Sequence, residues 1–267
     1  MFRLAVISTQ TARWQAVAAR LRDVAIDVAP PTDSLPDGDA VLLETLTAPI
    51  IERCLHAGKR VIALAYGELQ THTIRRLRDI AAQGKTHWSI VNPDRHLPSR
   101  QLIRQQLDAG KLGEPGLLRI HRWGDPDAGV RDLDLALWYF GKQPDVVFAI
   151  ERPGVRQVHL GFPGGGMALI DYVAKLPGDS RYHYLSLIGS SGAAYADDHR
   201  NMQLAFTRDG PRPLPSDEGI GPWCSLVREF VSGSDGVDAW LTALAVNDAV
   251  LESLRSGQAY KSMITKP

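Results

Sequence analysis

The sequence predicts an α/β chain in two parts: a truncated, doubly wound parallel sheet over residues 1–95, then an α+β domain with an open antiparallel sheet over residues 96–267. Three observations predict it. Short apolar runs alternate with helically spaced segments as far as Val91, the pattern breaks at Asn92-Pro93-Asp94, and beyond Phe140 the apolar period switches to two.

Leu4 to Ile7 reads as a buried strand, and Ala12 to Val24 follows as a helix with Val17, Leu21 and Val24 on one face. Val24 to Val28 forms a second strand. After the turn-rich stretch Pro30 to Gly38, Ala40 to Leu43 forms a third. A helix from Pro49 to His56 stops at Gly58, and Val61 to Ala65 is the fourth strand. Thr71 is expected to cap a helix carrying Ile74, Leu77 and Ile80, ended by Gly84, and Trp88 to Val91 closes the series. Helices at Ser99 to Ala109 and Leu133 to Phe140 end at Gly110 and Gly141. The β-type runs then follow: Val146 to Ala149, Val155 to Gly161, Met167 to Leu176, Arg181 to Ile188, Ala193 to Ala196 and Met202 to Thr207. Helices near Ser225 to Val231 and Asp238 to Arg255 are expected to pack back on the first domain. Leu241, Leu244, Leu251 and Leu254 would be the apolar stripe of the longer one.

The chain has 267 residues, 44% hydrophobic and 22% charged, enough for two modest domains. Thirty basic and thirty acidic side chains cancel, so no overall field draws the chain to nucleic acid or to an anionic membrane. A small polar partner fits better. Cys54 and Cys224 read as buried, reduced thiols, which points to a cytoplasmic setting, and no segment reads as a signal peptide or a membrane span. The histidines are dispersed without ligand spacing, so no metal is expected.

Several stretches occur in a telling order: Ala57-Gly58-Lys59-Arg60-Val61-Ile62, Arg95, Leu107 to Pro115, Asp127 to Asp134, Ile188-Gly189-Ser190-Ser191-Gly192, and Arg228-Glu229-Phe230-Val231. Together they resemble the family of glucose-fructose oxidoreductase and inositol dehydrogenase. The resemblance runs over nearly the full chain. It implies a Rossmann-like domain for NAD or NADP, a C-terminal domain with an open antiparallel sheet, and a sugar or polyol ligand.

The residues depart from that pattern at both sites. A dinucleotide needs glycines after the first strand, because only bare backbone approaches a diphosphate closely. Here the turn is Ser8-Thr9-Gln10-Thr11-Ala12-Arg13, without glycine. Ser8, Thr9, Thr11 and Arg13 are the candidate phosphate contacts, and helix capping is the structural use of the same hydroxyls. The second strand lacks the acidic residue that accepts bonds from ribose; Asp33 is nearby but lies in a loop. A helix and a strand are also missing before Asp39. A normal dinucleotide would be poorly held, so no cofactor is expected, and NAD or NADP only if the protein is active.

In the resembled enzymes a lysine after the fourth strand and an Asp-x-x-x-His move the hydroxyl proton. The lysine position here is Ala65, beside Tyr66, and the second motif gives Asp127 and Arg131. Arginine stays protonated and is a poor acid or base. Losing general acid–base assistance costs about 10² to 10⁴ in rate. Asp127 and Arg131 are either an i,i+4 ion pair on the helix surface or a ligand clamp for a polyol or carboxylated sugar. His121 and Trp123 fall on one side of an alternating strand; His121 is a stand-in acid or base, or a histidine with no catalytic duty. Arg95 and Trp123 are the candidate substrate contacts.

Two functions follow. One is a member of the resembled family that has lost hydride transfer and serves in binding or assembly, with self-association through the antiparallel sheet. The other is an active NAD(P)-dependent sugar or polyol oxidoreductase using Asp127 with Tyr66 or His121.

Overall fold

The computed structural model describes residues 1–31, 35–125, 129–174, 182–197, 202–207, 210–213, 219–233 and 236–261. It divides into one unit of Met1–His96 with Asp217–Leu241 and another of Leu97–Ser216 with Thr242–Pro267.

The first unit is built on five parallel strands: β1 (Phe2–Ile7), β2 (Val24–Ala29), β3 (Ala40–Leu43), β4 (Arg60–Leu64) and β5 (Trp88–Val91). Their order is β2-β1-β3-β4-β5. All four residues of β3 are buried, as are Leu4 to Ile7 in β1. Strands covered on both faces have no polar face to show, which is why they read as unbroken apolar runs. Helices α1 (Thr11–Arg20), α2 (Ala48–His56) and α3 (Thr71–Gln83) alternate with the strands. A short 3-10 turn, Pro93–His96, follows β5. Among the described residues no strand pairs beyond β2, the side where the resembled pattern has a further helix and strand.

Two local expectations change. Neither α1 nor α3 is capped by a hydroxyl: their N-cap residues are Gln10 and Gln70, and no side-chain cap bond forms, so Thr11 and Thr71 lie one position inside their helices. At the end of α3 the left-handed residue is Lys85 (φ 51°), while Gly84 stays helical. Gly58, with φ 72°, does supply the left-handed turn after α2.

The second unit carries nine strands: β6 (Pro115–Trp123), β7 (Val146–Arg152), β8 (Val155–Gly161), β9 (Met167–Val173), β10 (Tyr182–Gly189), β11 (Ala193–Asp197), β12 (Met202–Thr207), β13 (Gly210–Pro213) and β14 (Tyr260–Lys261). The order is β13-β12-β11-β10-β6-β9-β8-β7-β14. The sheet is mixed, because β6 pairs in parallel with β9 and every other pair is antiparallel. A helical crossover brings β7 back along the direction of β6, and two hairpins later β9 runs that way again.

Helices α4 (Pro98–Asp108) and α5 (Gly129–Phe140) and the later part of α7 (Val237–Ser256) cover one face of this sheet. Leu118 and Ile120 of β6, Leu185 and Leu187 of β10, and Ala168 and Ile170 of β9 meet them there. In the first unit, α6 (Gly221–Val231) packs on the core through Leu226, Val227 and Phe230. The stripe of α7 differs in part from the expected one: Leu254 packs against the core of the second unit, but the buried residues are Val237, Trp240, Ala243, Val246, Ala249, Val250 and Ser253, while Leu251 is 49% exposed.

Candidate functional site

In a doubly wound sheet, ligands bind beyond the C-terminal ends of the strands where the strand order reverses. Here the chain passes from β1 to β2 on one side and then to β3 on the other, so the reversal falls between β1 and β3. Ser8 and Glu44 directly follow those two strands.

Glu44 fills this position. Ser8 Oγ donates to its Oε2, Trp14 Nε1 donates to Oε1 at 2.8 Å, and Arg13 Nη1 lies 3.4 Å from Oε1. Ser8 Oγ also accepts the Gln10 amide at 2.7 Å, which pins the turn. The Arg13 guanidinium sits 4.5 Å over the ring of Trp223 from α6, and Trp223 meets Trp14 edge-on at 5.5 Å. Of the four expected phosphate contacts, Ser8 and Arg13 are thus bound to a carboxylate of the chain itself. Thr9 and Thr11 are exposed.

A second anion about 4 Å from Glu44 would be repelled by ~4 kcal/mol per charge at an effective dielectric near 20. The turn also lacks the glycines that would let the backbone itself serve instead.

The end of β4 offers no proton carrier at the lysine position: Ala65 is buried and its amide donates to Val91 O at 2.9 Å. Tyr66 packs partly against the core of the first unit, and its carbonyl accepts the Leu46 amide at 2.9 Å. Arg95 lies in the 3-10 turn after β5, its amide donating to Asn92 O.

In the second unit, α5 brings charge into the core. Arg122 of β6 clamps Asp132 in two bonds, Nε to Oδ2 at 3.0 Å and Nη2 to Oδ1 at 2.6 Å; Asp132 is fully buried. Arg131 Nη2 donates to Asp125 Oδ2 at 2.9 Å. Arg131 is only 7% exposed, since α5 lies against the sheet and draws this face of the helix inward. Asp127 lies outside the described residues.

Beside the clamp, Arg100 of α4 places Nη2 3.1 Å from both ring nitrogens of His183. Burial, then Arg122, Arg100 and Arg131, push the His183 pKa well below its ordinary value. His183 is therefore a neutral imidazole, and its 3.9 Å approach to Asp132 is not an ion pair. Tyr172 donates to Gly129 O at 3.2 Å, and burial followed by the charge of Asp132 drives its pKa well up. The arrangement offers fixed guanidinium donors beside the His183 ring.

His121 and Trp123 share one side of β6, as expected from alternation, with rings 5.8 Å apart. That side is the sheet face opposite to Arg122 and α5, so in this unit His121 does not join Arg131 in one site. His121 Nδ1 lies 2.6 Å from Asp171 Oδ1, and Trp123 Nε1 donates to Asp171 Oδ2 at 2.8 Å. Burial raises the Asp171 pKa, but the His121 and Trp123 contacts outweigh it and leave it lowered. Tyr182 and Tyr184 flank the pair at 4.9 and 5.4 Å.

Glu44, Arg100, Arg122, Asp132 and His183 were not singled out from sequence. A signal existed for Arg122: it continues the inward register of Leu118 and Ile120, where a charge needs a partner. Among the described residues no three His, Cys, Asp or Glu side chains group to hold a metal, and no helix is long and apolar enough to cross a membrane. Cys54 and Cys224 are buried and not joined in a disulfide, and burial pushes the Cys54 thiol pKa up.

No protein-family model and no curated protein sequence matches the chain. Solved structures do match along its whole length. A putative myo-inositol dehydrogenase from Sinorhizobium meliloti is 19% identical, covering 98% of this chain and 99% of its own, with a TM-score of 0.78. An oxidoreductase from Agrobacterium radiobacter, in complex with NAD+, L-tartaric acid and magnesium, is 13% identical over 97% and 98%, with a TM-score of 0.78. An aldose-aldose oxidoreductase from Caulobacter crescentus, complexed with glycerol, is 16% identical over 98% and 99%, with a TM-score of 0.79. In fold, the chain is similar to these dehydrogenases and oxidoreductases: a parallel five-stranded sheet followed by a mixed, mostly antiparallel one.

Proposed function

We propose that the chain is a divergent relative of the NAD(P)-dependent sugar and polyol oxidoreductases that lacks hydride transfer and serves as a binding or assembly protein in the cytoplasm. The observation that carries this reading is Glu44, whose carboxylate holds Ser8, Arg13 and Trp14 at the reversal point of the sheet. Ala65 at the lysine position and Arg131 at the histidine position support it, since neither moves a proton at neutral pH. The ligand is a small polar molecule such as a sugar or polyol, and Arg131, with Asp127 on the same segment, supplies polar contacts to it. Self-association uses the face of the nine-stranded sheet that carries His121 and Trp123. Ile150, Val155, Met167 and Ile188 on this face are each 45–48% exposed.

The second reading, an active oxidoreductase with an unusual site, is favoured by likeness in fold to an oxidoreductase in complex with NAD+. Titration with NADH and NADPH, followed by nicotinamide and tryptophan fluorescence, separates the two. No saturation is expected up to about 1 mM, which corresponds to binding weaker than ~4 kcal/mol. Saturable micromolar binding would overturn the first reading.

A further inference from the structure

The backbone that carries Glu44 is tied on both sides. Its own amide donates to Ile7 O at 3.4 Å, and the Leu46 amide donates to Tyr66 O at 2.9 Å. The side chain therefore reaches α1 from a fixed segment, and shortening it removes the carboxylate while the loop stays in place.

Every partner of that carboxylate is a donor. The Trp14 indole and the Arg13 guanidinium can only donate, and the Ser8 hydroxyl already accepts the Gln10 amide, which leaves its proton for Glu44. Trp14 has no exposure and Ser8 is 2% exposed, whereas the Glu44 side chain is 16% exposed. The carboxylate is thus both the acceptor that these buried donors need and the cover that separates them from solvent.

The surrounding charge favours an anion whatever its source. Helix α1 has no side-chain cap bond at Gln10 and no acidic residue in its first turn, so its positive end is balanced by a residue from another strand. Arg13 does not depend on Glu44 for its place. Its guanidinium lies 4.5 Å over the Trp223 ring, and Trp223 packs edge-on against Trp14. Packing within the first unit holds the donors, and what they hold is an anion of the chain itself.

We propose that Glu44 is an internal ligand in an otherwise complete anion site of carboxylate size, and that this one side chain closes the site to free anions. Glu44→Ala deletes the same heavy atoms that make up an acetate ion, so the vacated space and the donors around it match acetate. The inference deepens the function proposed above and rests on that reading for the behaviour of the unaltered chain. It adds that the donors for an anion are intact beneath the Glu44 carboxylate.

The test uses the ¹⁵N-labelled full chain, unaltered and as Glu44→Ala, with the Trp14 indole N–H identified by backbone-linked assignment. Sodium acetate is titrated near neutral pH against sodium chloride at equal ionic strength and against uncharged acetamide. In the variant, acetate is expected to move the Trp14 signal to saturation within about 100 mM, the range of millimolar binding, and to raise the melting temperature. The unaltered chain should show neither effect. Adding Arg13→Gln to the variant should weaken the response about tenfold, the order expected for a charge-assisted hydrogen bond. The inference is overturned if the variant ignores acetate, if chloride or acetamide acts equally well, if the unaltered chain responds as the variant does, or if loss of Arg13 changes nothing. Should the variant fail to fold in chloride, its refolding is followed instead: recovery in acetate alone carries the inference, and failure in both salts overturns it. The NADH titration is made on the unaltered chain and this one on the variant, so either can fail without the other.

Discussion

Asp132 illustrates how much one buried side chain can hold in this protein. It has no exposure to solvent, and Arg122 grips both of its oxygens. Removing one member of such a pair leaves the other charged and dry, so Asp132→Ala is expected to cost ~3–5 kcal/mol in denaturant unfolding. A cost under about 1 kcal/mol would mean the pair contributes no more than a surface bridge. His183 and His96 make a second expectation. Burial depresses both pKa values, reinforced for His183 by three arginines and partly opposed for His96 by Glu229. A base with a folded pKa below its unfolded value near 6.5 contributes fully above that pH and loses the contribution as pH falls. The melting temperature should therefore drop between about pH 7 and pH 5. His183→Asn should flatten that slope; an equal slope in the variant would assign the acid sensitivity elsewhere. Neither residue stood out in sequence, because a lone Asp or His announces itself only through its neighbours in space.

Helix α7 shows where periodicity misleads. The Leu241, Leu244, Leu251 and Leu254 stripe and the stripe through Val246, Ala249 and Val250 both satisfy helical spacing. The sheet selects the second, whose small residues allow close approach, and Ser253 within it accepts the Ala149 amide at 3.0 Å. Val246→Ala should destabilise by ~1–3 kcal/mol through an unfilled space in the core. Leu251→Ser should stay within about 0.5 kcal/mol, as surface changes do. The opposite ranking in thermal or urea unfolding would restore the leucine stripe. Strand β6 was easier to read. Its alternation put His121 and Trp123 on one side, and the structure keeps them there, although the helices cover the other face.

For the chain as a whole, the helix-free face of the nine-stranded sheet leads to an expectation about assembly. Light scattering at low micromolar concentration should give a dimer or larger species, and Ile188→Asp should yield a folded monomer. A monomeric unaltered protein would remove self-association from the proposed function. The order of strands and helices, the shift from parallel to mostly antiparallel pairing and the missing nucleotide strand were all legible in the chain. Those features depend on apolar period and turn residues, which are local. The first unit comprises Met1–His96 and Asp217–Leu241, stretches far apart along the chain. Packing alone decided that Glu44 would take the place between β1 and β3, that Arg122 would clamp Asp132, and which stripe of α7 would be buried. Each joins residues far apart along the chain, and their energies depend on distance and desolvation, quantities that exist only after the strands and helices have met.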